Sequence, residues 1–318
     1  MRRALIVGID AYPTAPLHSC VKDASRMAEL LAWHEDGTPN FDCRTLVAPS
    51  DKIGRNVLWK QIEKLFAQPA DVALLYFAGH GAIHKNLGGY IFAQDSRQYT
   101  EAISMRDVMS FAHGGAKIGE IIIILDCCYS GALGQLPEPQ GDYIALREGE
   151  TVLTATRAEE SAAESAEGGI FTSLICEALS GGAADLRGTV TVTSLYAFVD
   201  QRLDAWDQRP MLKSYVSQLL PLRLCRPTID PNVLRKLPEY FESPYFVRRL
   251  DPSYEPMAKP HHPEHEAIFS DLQELRAAGL VEPTGGEKHL YWAAMRRKGC
   301  RLTSLGKFYW QMVQRHRI

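Results

Sequence analysis

The sequence predicts an α/β fold: a three-layer sandwich around a central, mostly parallel sheet, followed by a small α+β domain at the carboxyl end. Three observations carry this. Short apolar runs rich in β-branched residues (5–9, 72–77, 121–125) alternate with amphipathic helical segments, the pattern of a parallel sheet covered on both faces. Two of those runs end in words that carry chemistry, Tyr76-Phe77-Ala78-Gly79-His80-Gly81 and Asp126-Cys127-Cys128-Tyr129-Ser130-Gly131. The carboxyl ends of neighbouring strands are where open α/β sheets place their sites. A proline-rich stretch, 227–262, then reads as a linker, with some packing of its own around Tyr240 to Phe246, between residues 1–226 and residues 263–318.

Residues 5–9 read as a buried first strand, and a polar loop through Ser19 leads to a helix over 21–33. A second strand runs over 41–47. Residues 53–66 have helical periodicity, with Val57, Leu58, Ile62 and Leu65 on one face. The third strand, 72–77, precedes the histidine, and 90–92 form a short piece after it. Ser104 is placed to cap a helix through Phe111, with Asp107 three residues on. Residues 121–125 and 151–155 are the fourth and fifth strands, 171–179 and 194–203 are helices, and 214–224 is the expected last strand.

At 318 residues, 46% hydrophobic and 23% charged, the chain has ample core for one large and one small domain. Its net charge of −3 argues against a general affinity for nucleic acid or acidic membranes. No apolar run approaches the roughly 20 residues of a membrane span. Met1-Arg2-Arg3 leads into an apolar stretch broken at Asp10 with no cleavage-site pattern, which reads as a strand rather than a signal peptide. Seven cysteines spread without a pattern fit a reducing, cytoplasmic setting better than a disulfide framework.

The residue types in the two words fit one chemistry. A thiol at its free pKa is only slightly ionised at neutral pH, and a neighbouring imidazole can take its proton and make a thiolate nucleophile. His80 lies 48 residues before Cys128, close to the roughly 50-residue offset noted for caspase nucleophiles. Glycines on both sides of His80 let backbone approach a substrate, and the N–H groups of Gly81 and Cys128 are placed to hold an oxyanion. The competing reading makes His80 a strand terminus and Cys127 and Cys128 buried small hydrophobes. The pair at two adjacent strand ends favours catalysis.

On these words, residues 1–226 resemble the caspase-family cysteine peptidases, closer to the prokaryotic metacaspase-like branch than to animal caspases. The opening Ala4-Leu5-Ile6-Val7-Gly8-Ile9-Asp10-Ala11-Tyr12, Cys20-Val21-Lys22-Asp23-Ala24, Leu153-Thr154-Ala155-Thr156, the acid-bearing stretch from Glu160 to Glu164, Gly169-Ile170-Phe171-Thr172 and Gln208-Arg209-Pro210 follow in the family's order. The resemblance implies a caspase–hemoglobinase fold, Cys128 as nucleophile and His80 as its partner. It also implies a substrate pocket lined by Asp23 and Asp126, with Cys20 as a wall. Paired carboxylates in a confined pocket suit a guanidinium best, so cleavage after Arg, with Lys second, is expected. The competing reading has Asp23 start a helix and Asp126 end a strand.

The loop over 134–149 holds two prolines and three glycines where caspase relatives carry an intersubunit linker, and Arg147 near its end is a possible processing site for an upstream protease. Two departures stand out. Many metacaspases need calcium, held by acids after the catalytic histidine, but between His84 and Asp95 this chain has none. No cofactor and no calcium dependence are therefore expected. Ala78 stands where a polar residue is often found.

In the last segment, a helix over 264–277 presents Ile268, Leu272 and Leu275 on one face, a turn follows at 283–286, and a final helix covers 304–313. Helix, wing-like hairpin and the word Leu302-Thr303-Ser304-Leu305-Gly306-Lys307 resemble a winged-helix domain. From His261 to Ile318 nine basic residues stand against six acidic ones, modest for a nucleic-acid binder, so protein docking is preferred to DNA binding. The cluster His261-His262-Pro263-Glu264-His265 reads as solvated linker rather than a metal site. The expected activity is that of an Arg/Lys-specific cysteine endopeptidase acting on protein substrates, made as a zymogen, in a cell-death or defence pathway. The alternative is a catalytically silent regulator acting through the C-terminal module, and a DNA-shift assay separates the two.

Overall fold

The computed structural model describes residues 1–84, 88–114, 117–127, 146–155, 169–203 and 210–318. The chain divides into two compact units, one of residues 1–184 and 189–226 and the other of residues 185–188 and 227–318. No helix among the described residues is long and apolar enough to cross a membrane.

In the first unit the chain runs β1 (Arg2–Ile9), α1 (Cys20–Ala32), β2 (Asp42–Ala48), α2 (Arg55–Phe66) and β3 (Ala70–Gly79). After β3 come β4 (Gly81–His84), β5 (Gly88–Ile91) and β6 (Ile103–Ser104), a small antiparallel sheet, then α3 (Met105–Ala112) and β7 (Ile118–Cys127). The unit closes with β8 (Glu150–Thr154), α4 (Ile170–Glu177), β9 (Thr189–Val190), α5 (Val192–Arg202), β10 (Met211–Tyr215) and β11 (Arg223–Leu224).

The main sheet has the order β10-β8-β7-β3-β1-β2, and only the β10 edge is antiparallel. Side chains alternate along its strands and build two cores. On one face Ile6, Leu74, Tyr76 and Ile124 pack with Met27 of α1, Ile175 of α4 and Leu195 of α5. On the other, Val7, Leu75, Phe77 and Ile123 pack with Leu58 and Ile62 of α2 and Val108 of α3. This is the expected sandwich, with its central strands apolar on both faces.

Local chemistry sets the ends of the helices. The Cys20 and Val21 amides donate to Asp10 Oδ1 and Oδ2 at 2.9 and 3.2 Å, so a carboxylate from the end of β1 caps α1. Gly8 lets that helix in: a Cβ there would stand 2.3 Å from the Cys20 carbonyl oxygen. Ser104 caps α3 by accepting from the Asp107 amide, as the sequence predicts. Val57, expected on the buried face of α2, is exposed, because that face is built from Leu58, Ile62, Leu65 and Phe66. The expected last strand over 214–224 is instead two strands, β10 and β11, in different sheets. Pro221 lacks the N–H a continuous ladder requires.

The second unit contains α6 (Pro231–Arg235), α7 (Leu237–Tyr240), β12 (Val247–Arg249), α8 (Pro263–Ala277), β13 (Val281–Pro283), α9 (Leu290–Met295), β14 (Gly299–Leu302) and α10 (Ser304–Gln314). The stretch 227–262 corrects the linker reading. Leu234, Leu237, Phe241, Leu250 and Tyr254 are buried in the same core as Leu272 and Leu302. Its prolines start structure rather than break it: Pro231 and Pro263 occupy the first turns of α6 and α8, where the missing N–H costs nothing. The expected hairpin is a three-stranded antiparallel sheet, β12-β14-β13, and α9 lies between β13 and β14 in the chain. His262 and His265 stack 3.8 Å apart, with His265 also stacked on Tyr254, so that cluster is part of the packing at the start of α8. Among the described residues no group of His, Cys, Asp and Glu is arranged to hold a metal ion.

Candidate active site

The parallel register brings the two chemical words together. Ala78 pairs with Asp126 and Gly79 with Cys127, so His80 leaves β3 beside the point where β7 delivers Cys127. Cys128 and residues 134–145 lie outside the described residues, as do Thr156, 160–164, Gln208 and Arg209.

His80 is held on both its backbone and its ring. Its N–H donates to the Tyr12 hydroxyl at 3.0 Å, and that hydroxyl donates to the Phe92 carbonyl at 3.0 Å. The Tyr12 and His80 rings pack with centroids 4.4 Å apart. Burial raises the Tyr12 phenol far above its ordinary value, so the hydroxyl stays protonated and both hydrogen bonds persist at physiological pH. Gly79 makes room, since a Cβ there would stand 2.5 Å from the Tyr12 hydroxyl.

His80 Nε2 lies 2.7 Å from the carbonyl oxygen of Ala15. A carbonyl only accepts, so Nε2 is the donor of this bond and Nδ1 is the ring nitrogen it leaves unengaged. Ala15 itself has φ +66°, the left-handed region a side chain disfavours, and this turns its carbonyl toward the ring. Gly81 opens β4, paired with Ile91. Around His80 lies a cleft of about 560 Å³, whose lining includes Tyr12, Pro13, Ala15, Phe92, Ser96 and Arg97.

The acids occupy the opposite face of the sheet. Asp126 and Asp23 are buried, at 2% and 1% exposure. Thr172 Oγ1 donates to Asp126 Oδ2 at 2.7 Å, and Tyr76 Oη stands 2.7 Å from Thr172 Oγ1, so the proton order runs Tyr76 to Thr172 to Asp126. The Gly169 amide donates to Asp23 Oδ2 at 2.9 Å. Burial first, and then the charges of Asp126 and Asp23 with a contribution from Cys20, raise the Tyr76 phenol well above its usual value. Asp126 is thus linked to Tyr76 through Thr172, and the charge of Asp23 acts on the same phenol. The competing structural placement is met: Asp23 sits in the first turn of α1 and Asp126 next to the last residue of β7.

Arg147 is exposed, and its backbone is engaged. Its amide donates to Glu150 Oε2 at 2.7 Å, its carbonyl accepts from the Glu150 amide at 3.2 Å, and its guanidinium reaches the His113 carbonyl at 3.1 Å. The other Glu150 oxygen lies 2.8 Å from His113 Nε2. Among the other thiols, burial pushes Cys43, Cys176 and Cys300 up to about 12, leaving them protonated and inert.

Sequence reasoning placed His80, Asp23, Asp126 and Cys20 but assigned no role to Tyr12, Ala15, Tyr76 or Thr172. Tyr12, Tyr76 and Thr172 stand inside the words quoted above, which was the available signal. Ala15 carried none, because it acts through its backbone.

A family model described as the caspase domain matches residues 1–220. Among solved structures, one from Geobacter sulfurreducens aligns with a TM-score of 0.51 at 18% identity, over 71% of this chain and 97% of that one. Caspase-1 from Spodoptera frugiperda aligns with a TM-score of 0.49 at 15% identity, over 70% of this chain and 90% of that one. No curated protein sequence matches the chain significantly. The family model covers most of the chain and the whole of the six-stranded sheet, and the chain belongs to the caspase-domain family.

Proposed function

We propose that the protein is a cysteine endopeptidase that cleaves proteins after Arg or Lys. The observation that carries this is the His80 ring, fixed by the Ala15 carbonyl with Nδ1 left unengaged by that bond, beside the strand that leads into Cys128. In this reading Nδ1 takes the Cys128 proton and the thiolate attacks the scissile carbonyl. The Gly81 and Cys128 amides stabilise the oxyanion. The imidazolium, its other N–H still donated to Ala15, then gives its proton to the leaving amine, and water releases the acyl group. The P1 preference rests on Asp23 and Asp126: two carboxylates whose charges act on the same Tyr76 phenol suit a cation.

The resemblance further supports a metacaspase-like zymogen, independent of calcium, acting in cell death or defence. Activation would cut the loop over 134–149, with Arg147 as the candidate position once its turn with Glu150 is released. The C-terminal unit fits a winged-helix-like protein-docking module better than a DNA reader, given the small basic excess. The test is hydrolysis of fluorogenic peptides differing only at P1 (Arg, Lys, Asp), by wild type and Cys128→Ala, with and without calcium and after limited proteolysis. Arg-selective turnover lost in Cys128→Ala is the expected result. Silence from folded protein under every condition overturns it in favour of the regulator.

A further inference from the structure

We infer that the cleft beside His80 receives the residues that follow the scissile bond, and that Arg97 selects an acidic side chain among the first two of them. The inference rests on the reading of His80 as the proton carrier. In acyl transfer the general acid protonates the departing amine, so the leaving chain must pass on the histidine side of the nucleophile. Of the proposed partners of the residue before the bond, Asp126 is linked through Thr172 to Tyr76, and Asp23 lies on α1, which packs on the same sheet face. Tyr12 and Phe77 belong to the opposite face, and the cleft lies on that side. The two halves of a substrate would therefore occupy two different faces of the sheet edge.

The chemistry of the cleft is one-sided. Its floor is apolar or uncharged, from Tyr12, Pro13, Ala15 and Phe92, and among the described lining residues Arg97 carries the charge on its rim, beside the His80 ring. The neighbouring carboxylates have other donors: Glu101 Oε2 accepts the Arg97 amide at 2.7 Å and its Oε1 the Gln98 side-chain amide at 3.3 Å, and Asp95 Oδ1 accepts the Arg55 amide at 2.8 Å. Among the described residues, none forms an ion pair or hydrogen bond with the Arg97 guanidinium. An exposed guanidinium without an ion pair among the described residues, beside an apolar trough, suits a short segment bearing one acidic side chain.

The test uses the full chain and two substrate sets. An Arg reporter with a fluorophore directly on its carbonyl has no residue past the bond. Internally quenched peptides with Arg at P1 carry Glu, Gln or Lys at either of the next two positions. The expected result is a preference for Glu over Lys of about five-fold at one position, the size of an exposed ion pair, shrinking at high salt. Arg97→Glu should invert that preference. Turnover of the reporter together with equal rates on the Glu and Lys peptides, or a preference that Arg97→Glu leaves in place, overturns the role of Arg97 and leaves the peptidase reading standing. Failure of wild type to cut either set after activation overturns both.

Discussion

The carbonyl of Ala15 faces Nε2 of His80 at 2.7 Å, from a residue whose φ of +66° a side chain disfavours. A left-handed conformation costs an alanine about 1–2 kcal/mol, a strain spent on aiming one oxygen. Ala15→Gly adopts this conformation freely and should keep turnover within about two-fold, whereas Ala15→Val cannot hold it. The valine variant should lose about 10–100-fold in kcat with KM nearly constant, since misplacing a catalytic ring by about 1 Å costs rate rather than binding. Steady-state kinetics of the two variants on the best P1 substrate decide this. Equal behaviour of the two would remove the carbonyl from the mechanism.

Tyr12 supports the same histidine from its backbone. Tyr12→Phe deletes the acceptor of the His80 N–H and the donor to Phe92. Leaving such groups unpaired costs about 1–3 kcal/mol, so the thermal midpoint should fall. Gly79→Ala should be worse than Tyr12→Phe, because its Cβ drives the tyrosine away instead of only shortening it. Thermal denaturation of both variants gives the order, and a Gly79→Ala protein as stable as wild type would contradict the packing described.

On the acid side, Asp126→Asn keeps an oxygen for Thr172 to donate to but loses the charge. Arg-substrate turnover should fall by about 100-fold or more, the scale of breaking a buried charge pair, with little loss of stability. Thr172→Val should do the reverse in part: it interrupts the chain from Tyr76 to Asp126 and should destabilise by about 1–3 kcal/mol. Kinetics and chemical denaturation measured on the same preparations separate the two effects. Unchanged Arg turnover in Asp126→Asn would sink the pocket assignment.

Glu120 gives a pH prediction remote from the site. Its side chain is buried on β7, Oε2 accepts the Leu220 amide at 3.3 Å and Oε1 finds no hydrogen-bond donor. Burial raises its pKa, with the Leu220 amide and Arg2 opposing. A raised acid binds its proton more tightly folded than unfolded, so its contribution to stability is greatest below the unfolded value near 4.5 and falls as pH rises through the folded value. Glu120→Gln should flatten this decline, whose steepest slope for a single proton is about 1.4 kcal/mol per pH unit. Urea midpoints of wild type and variant from pH 4 to 8 test it, and parallel curves would refute it.

The strands and helices that bury apolar faces were legible because periodicity reports burial directly. Residues 5–9, 72–77 and 121–125 lie in three of the four inner strands, along which successive side chains feed different cores. His80, Asp23 and Asp126 were legible because their residue types carry chemistry. At 227–262 the reading gave packing only around 240–246, because proline density looks the same in a linker and in a series of helix starts, and the burial of Leu234, Leu237 and Leu250 distinguishes them. Val57 was assigned by spacing to a face that Leu58, Ile62, Leu65 and Phe66 build. Ala15 was invisible because its contribution is a carbonyl that every residue possesses.

Gly8 holds a further consequence. It lies near the end of the first strand and has no side chain to offer a substrate, yet α1 begins against it, and three residues past Cys20 that helix presents Asp23. A methyl group at position 8 would lever the helix outward and carry the carboxylate with it. In a mutational scan scored by turnover, Gly8 would rank beside the residues that do the chemistry, although no reacting group had been touched. The readout that tells the two apart is substrate preference: under the proposed pocket role, a displaced Asp23 should weaken discrimination between Arg and uncharged residues, whereas loss of the proposed nucleophile should silence every substrate alike.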